Sequence, residues 1–115
     1  MTREGQVVLF RFPQTDQTPG KLRPALIVRE VPSSYGDWLI CMISSRLTQE
    51  VTGLDEVIGE GDADFTGSGL KAQSLVRVSR IAVVDGNILL GSIGSINSKR
   101  LSAIKKKLAD WILAP

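Results

Sequence analysis

The chain has 115 residues, 43% of them apolar, and a formal net charge of +2. That length suits one domain, able to bury roughly two thirds of the surface that its unfolded chain exposes. With no histidine and a single cysteine, histidine-containing and thiolate zinc sites are excluded, as are Ser–His–Asp and Cys–His arrangements. Any catalysis must rest on carboxylates, hydroxyls, lysines and arginines.

The opening MTREGQ is too polar for a signal peptide. No apolar run anywhere approaches the roughly 20 residues that span a bilayer. Residues 6–12 (QVVLFRF) are apolar and β-branched, which predicts a strand, and PQTDQTPGK supplies loop chemistry. Residues 23–29 (RPALIVR) form the second expected strand, where Pro24 is tolerable because it stands at the start. The turn PSSYGD leads into residues 38–44 (WLICMIS), apolar on both faces and therefore expected to be a central, covered strand. Cys41 lies in that run as a buried, reduced thiol, and the expected compartment is the cytoplasm.

Residues 50–64 hold six acids (Glu50, Asp55, Glu56, Glu60, Asp62, Asp64) and no base. The stretch is glycine-rich and reads as a short strand among mobile loops. Residues 74–78 (SLVRV) and 80–84 (RIAVV) read as two strands, and 88–94 as a weaker one. From Lys71 to Lys107 there are eight bases and one acid, Asp85, so a basic face suits a polyanion. Asn97 is placed to cap a helix over 98–113, with Ile96 stapling onto Leu101. Leu101, Ile104, Leu108, Trp111 and Ile112 fall on one face at helical spacing, which predicts a helix docked on the strands.

The pattern is mainly β, a small barrel closed by a C-terminal amphipathic helix. Parallel α/β architecture is excluded because no helix separates the early strands. Three features are set aside. The DADFTG run at 62–67 begins like a calcium loop, but its twelfth position is Gln73 and no helices flank it. GSIGS at 91–95 and GSG at 67–69 lack the strand-to-helix setting of a phosphate loop and read as turns. Lys105, Lys106 and Lys107 read as a solvated helix face.

Three stretches carry a resemblance. GQVVLFRFPQTD…KLRPALIV, WLICMISS and GLKAQSLVRVSRIAVVDGNILLGSIGSINSKRLSAIKKKLADWI together resemble the MazF/PemK family in order, spacing and span. They cover nearly the whole chain. The resemblance implies an SH3-like barrel of the CcdB/MazF/PemK type and a toxin of a type II toxin–antitoxin system. It also implies an endoribonuclease that cuts single-stranded RNA, messenger RNA included, by attack of the 2′-hydroxyl on its neighbouring phosphate, with no metal or cofactor. A homodimer and a cognate antitoxin partner follow from the same resemblance. The family's catalytic arginine falls on Arg23 and its catalytic threonine on Ser44. Here the chain departs from the pattern, since serine keeps the hydroxyl but lacks the methyl that restricts its rotamer.

Physical chemistry supports these residue types independently. Phosphoryl transfer gathers negative charge on non-bridging oxygens, and a guanidinium meets it with a planar fork of donors. Arg23 precedes a proline, which biases its backbone to the extended region at a loop–strand junction. Ser44 ends an apolar strand, where a hydroxyl can emerge; strand-end serines also cap turns. Lys21 is expected to steer RNA, and Ser45 and Arg46, next to Ser44, to contact it. Asp16, in the loop before Lys21, is a candidate RNA contact and proton acceptor. Phe10, Phe12, Trp38 and Trp111 could stack on bases, but core or interface roles suit them better. Two other functions compete. One is a barrel, weakly active or inactive, that binds nucleic acid or a partner protein. The other is a gyrase-targeting toxin of the CcdB type. The Arg23–Ser44 pair and the Arg-Pro signature favour RNA cleavage.

Overall fold

A computed structural model describes residues 2–11 and 21–115. Its elements in chain order are β1 (Gln6–Arg11), β2 (Leu22–Glu30), β3 (Asp37–Ser44), β4 (Glu56–Ile58), a short α1 (Phe65–Ser68), β5 (Ser74–Asp85), β6 (Ser92–Ser95) and α2 (Ser98–Leu113). Single 3₁₀ turns occupy Leu47–Gln49 and Gly86–Ile88. The six strands form one antiparallel sheet in the order β4-β5-β3-β2-β1-β6. It curls into a half-barrel with a C-terminal helix, as the strand pattern implies.

The central position expected for WLICMIS is correct, and alternation explains it. Cys41 and Ile43 point into a cluster with Val7, Leu26, Val76 and Ile104. Ile40 belongs to a second cluster on the other face, with Val8, Phe10, Ala25 and Ile27, against which Met42 packs. A strand covered on both faces must be apolar throughout. The Cys41 thiol is fully buried, and burial pushes its pKa up to about 12.

The two strands expected at 74–78 and 80–84 are one strand with a wide bulge. Arg77 pairs with Met42, and Ile81 with the adjacent Cys41, so Val78, Ser79 and Arg80 are extra on β5. A bulge leaves ladder groups unpaired and bends the strand. Here the buried Asp55 takes up the bulge donor: its Oδ1 accepts from the Val78 N–H at 3.0 Å and its Oδ2 from the Val51 N–H at 2.8 Å. The Val78 carbonyl accepts from the Cys41 thiol at 3.7 Å. The sequence pattern stops at Ser79 because the alternation slips there, although the chain continues as strand.

The acidic stretch is anchored to the body of the protein. Arg100 on α2 gathers it: Nε donates to Asp64 Oδ2 (2.8 Å), Nη2 to Asp62 Oδ2 (2.7 Å) and Nη1 to Glu56 Oε2 (3.2 Å) and the Val57 carbonyl (2.9 Å). The Arg100 fork holds the Asp64 carboxyl below its usual range. Asp62 is lowered chiefly by the Gly59 N–H and then by Arg100. The first two acids of the apparent calcium loop are thus ion-pair partners of a helix.

The GSIGS run contributes edge strand β6 rather than a turn. Next to it two backbone segments approach closely. A Cβ on Gly94 would collide with the Gly67 carbonyl oxygen, and one on Gly69, at φ +74°, with the Ile93 carbonyl. Only glycine allows α1, which follows one edge strand, to lie against the other edge.

Helix α2 begins as its sequence implies, with Asn97 Oδ1 accepting from the Arg100 N–H at 2.8 Å. Ile104 and Leu108 are buried and Leu101 packs on the same core, each buried side chain stabilising the docking by about 2 kcal/mol. The expectation that Trp111 and Ile112 dock too is not met: they are 46% and 60% exposed. The apolar stripe runs a turn beyond the surface that covers it. Among the described residues no helix is long and apolar enough to cross a membrane.

Candidate active site

A groove of about 460 Å³ opens where β2, β3 and the bulged part of β5 lie side by side. Part of its wall is apolar, from Met42, Ile43 and Ile81. The guanidinium-bearing residues Arg23, Arg46, Arg77 and Arg80 also line it, with Ser44 and Gln49. Among the described residues none of these four arginines has an ion-pair partner, and no carboxylate lines the groove. Four uncompensated cations around one cleft attract a polyanion.

Each is placed by the sheet. Arg23 sits opposite Phe10 of β1 near the start of β2, held extended by Pro24. Ala25 pairs with Met42 and Met42 with Arg77, so Arg77 shares a face with the Arg23 end of β2. The Arg77 Nε is buried with no hydrogen-bond partner among the described residues. Arg80 reaches the groove because the bulge turns β5.

Ser44 ends β3. Its Oγ accepts from the Arg46 N–H at 3.0 Å and donates to Gln49 Oε1 at 3.1 Å. The first contact is a serine turn. The second comes from the 3₁₀ turn Leu47–Gln49, where the Gln49 N–H donates to the Arg46 carbonyl at 3.1 Å. The serine is therefore both a turn cap and a hydroxyl lining the groove.

The structure brings together Arg23, Ser44 and Arg46 of the residues singled out from sequence. Lys21 and Ser45 are exposed but do not line the groove. Asp16, like Phe12, lies outside the described residues. Phe10 is buried in the core, Trp38 is half-buried, and Trp111 is exposed on α2 far along the chain from these elements. Sequence reasoning missed Arg77, Arg80 and Gln49 as groove residues. The interrupted alternation between 78 and 80 was the available signal for the first two. Of the basic run from Lys71 to Lys107, Arg100, Lys105, Lys106 and Lys107 are paired with carboxylates. Among the described residues no three His, Cys, Asp or Glu side chains are grouped to hold a metal.

A curled antiparallel half-barrel with a C-terminal helix and a groove lined by four arginines defines a small, mainly β protein. A model of the family described as PemK-like, MazF-like toxin of type II toxin–antitoxin system matches residues 3–112, and the chain belongs to that family. Solved structures share the fold. A mycobacterial endoribonuclease in complex with its cognate antitoxin is 17% identical with a TM-score of 0.70, covering 100% of this chain and 98% of that one. MazF from Deinococcus radiodurans is 19% identical with a TM-score of 0.69, covering 96% of each chain. A MazE–MazF complex from the same organism is 17% identical with a TM-score of 0.67, covering 99% and 97%. A search of curated protein sequences finds none that matches the chain.

Proposed function

We propose that this toxin is an endoribonuclease that cuts single-stranded RNA without a metal and is held inactive by a cognate antitoxin. The observation that carries the reading is the groove that Ser44 lines together with Arg23 and three further arginines, all four without an ion-pair partner among the described residues. In the reaction the 2′-oxygen bonds to the adjacent phosphorus as its proton leaves. The bond from phosphorus to the 5′-oxygen breaks, and that oxygen gains a proton. Charge grows on the non-bridging oxygens, where Arg23 offers two parallel N–H donors. Ser44 sits beside the same phosphate. Arg46, Arg77 and Arg80 hold flanking phosphates, and the apolar wall of Met42 and Ile81 faces a base. The mechanism in this reading uses no metal.

The antitoxin competes for the same cleft, because guanidiniums that hold phosphates also hold carboxylates. The active form in this reading is a cytoplasmic homodimer, and exposed apolar side chains such as Val83, Leu90 and Trp111 supply surface for association. The turn-capping bonds of Ser44 favour a second reading, in which the groove binds RNA and does not cut it.

The test is purified protein on a mixed-sequence RNA in excess chelator, with the ends of the fragments identified. Cleavage that leaves a 2′,3′-cyclic phosphate and a free 5′-hydroxyl is expected. Strict dependence on added magnesium, with 5′-phosphate products, overturns the mechanism. Binding without cleavage supports the second reading.

A further inference from the structure

We propose that Gln49 is a positioning residue that locks the Ser44 hydroxyl in its working rotamer; the proposal rests on the catalytic reading of Ser44. A serine side chain has three staggered χ1 wells and no methyl group to choose among them. At the end of a strand, facing a solvent-filled groove, such a hydroxyl would rotate. Two contacts stop it. The Arg46 N–H fixes one lone pair at 3.0 Å, and Gln49 Oε1 takes the proton at 3.1 Å. A hydroxyl has one donor and two acceptor sites, so one lone pair is left. Ser44 Oγ thus keeps one acceptor site free in the groove that it lines, for a donor such as a ribose hydroxyl.

The local fold exists to bring Gln49 back. The serine turn reverses the chain after β3, and the 3₁₀ turn Leu47–Gln49 closes with the Gln49 and Glu50 N–H groups donating to the Arg46 and Leu47 carbonyls, each at 3.1 Å. Gln49 returns five residues after Ser44, half-buried, while Leu47 and Thr48 beside it are exposed. It carries no charge, so it holds the hydroxyl without placing a carboxylate among the four arginines. Glutamate could accept the same proton but would compete with phosphate for the guanidiniums.

The experiment compares wild type, Gln49→Met, Ser44→Thr, Ser44→Ala and the double variant Ser44→Thr/Gln49→Met on one RNA. The Ser44 χ1 angle is read in parallel from Hα–Hβ couplings. Gln49→Met keeps the side-chain length and removes the acceptor. If the hydroxyl then spreads over three wells, kcat falls about three- to tenfold with KM little changed. The couplings change from a single rotamer to an average. In the Ser44→Thr background, where the β-branch restricts χ1, Gln49→Met is expected to cost less than twofold. Wild-type kcat and an unaveraged Ser44 rotamer in Gln49→Met overturn the proposal, as does an equal loss in both backgrounds. Ser44→Ala cutting at the wild-type rate overturns the catalytic reading of Ser44 and this proposal with it. A slow Ser44→Ala beside an unaffected Gln49→Met overturns this proposal alone.

Discussion

Replacing Arg100 by methionine tests how the acidic segment is joined to helix α2. The Arg100 side chain is 12% exposed and that of Asp64 only 7%. Asp64 accepts from both Nε and Nη2, at 2.8 and 3.0 Å. Removing the guanidinium leaves the Asp64 carboxylate without an ion-pair partner, held only by the Asn97 N–H at 3.2 Å, and takes the donor from the Val57 carbonyl. Breaking a buried ion pair from one side costs about 3–5 kcal/mol. The low end applies, because Glu56 keeps Lys107 at 2.7 Å and Asp62 is 42% exposed. With an unfolding entropy of about 2.1 cal/mol/K per residue, a loss of about 3 kcal/mol lowers Tm by roughly 12 °C. The effect must depend on pH with a definite sign. Arg100 lowers the folded pKa of Asp64, so its contribution is complete above the unfolded value of about 3.9 and is lost as pH falls through the lower folded value. In the variant a buried, unpaired Asp64 takes up its proton earlier, which also narrows the gap in acid. Thermal unfolding at one protein concentration, from pH 7 down to pH 3, measures both. A Tm loss under about 3 °C at pH 7, or a deficit that stays constant down to pH 3, refutes the reasoning.

Arg23→Ala is expected to slow RNA cleavage about a hundred- to a thousandfold with an unchanged Tm, and Arg23→Lys to restore little because a point charge cannot replace the fork. Wild-type rates in Arg23→Ala would show that the site is misassigned. Arg77→Met and Arg80→Met should each weaken RNA binding and reduce the slope of log affinity against log salt by about 0.7, one phosphate contact apiece; an unchanged slope counts against their role. Asp55→Ala leaves the Val78 and Val51 N–H groups unpaired and is expected to cost about 2–4 kcal/mol in urea unfolding. It should also weaken RNA binding, since the bulge carries Arg80 to the groove; stability equal to wild type would show that the bulge does not need Asp55.

The elements were legible wherever burial imposes a period. β1 to β3 and α2 announce themselves because one or both faces must be apolar, and Asn97 marks the start of α2 through the donor it satisfies. Arg23 and Ser44 are singled out by the resemblance to the MazF/PemK family, and their places at strand ends, beside a proline and a second serine, only agree with it. Spacing along the chain holds no information about what lies opposite. The bulge in β5 depends on Asp55, 23 residues earlier, so its alternation looks like two strands. Sequence counts eight bases between Lys71 and Lys107 as one basic face. Only tertiary structure separates Arg100, Lys105 and Lys107, neutralised by carboxylates from distant segments, from Arg77 and Arg80, left open in the groove; Lys106 pairs with Asp110 one turn along its own helix. The end of α2 follows the same rule: helical spacing sets the stripe that reaches Trp111 and Ile112, but the extent of the sheet decides how much of it is covered. A residue's own type and its near neighbours set its local conformation, whereas its charge partner and its exposure depend on chain that folding brings from elsewhere.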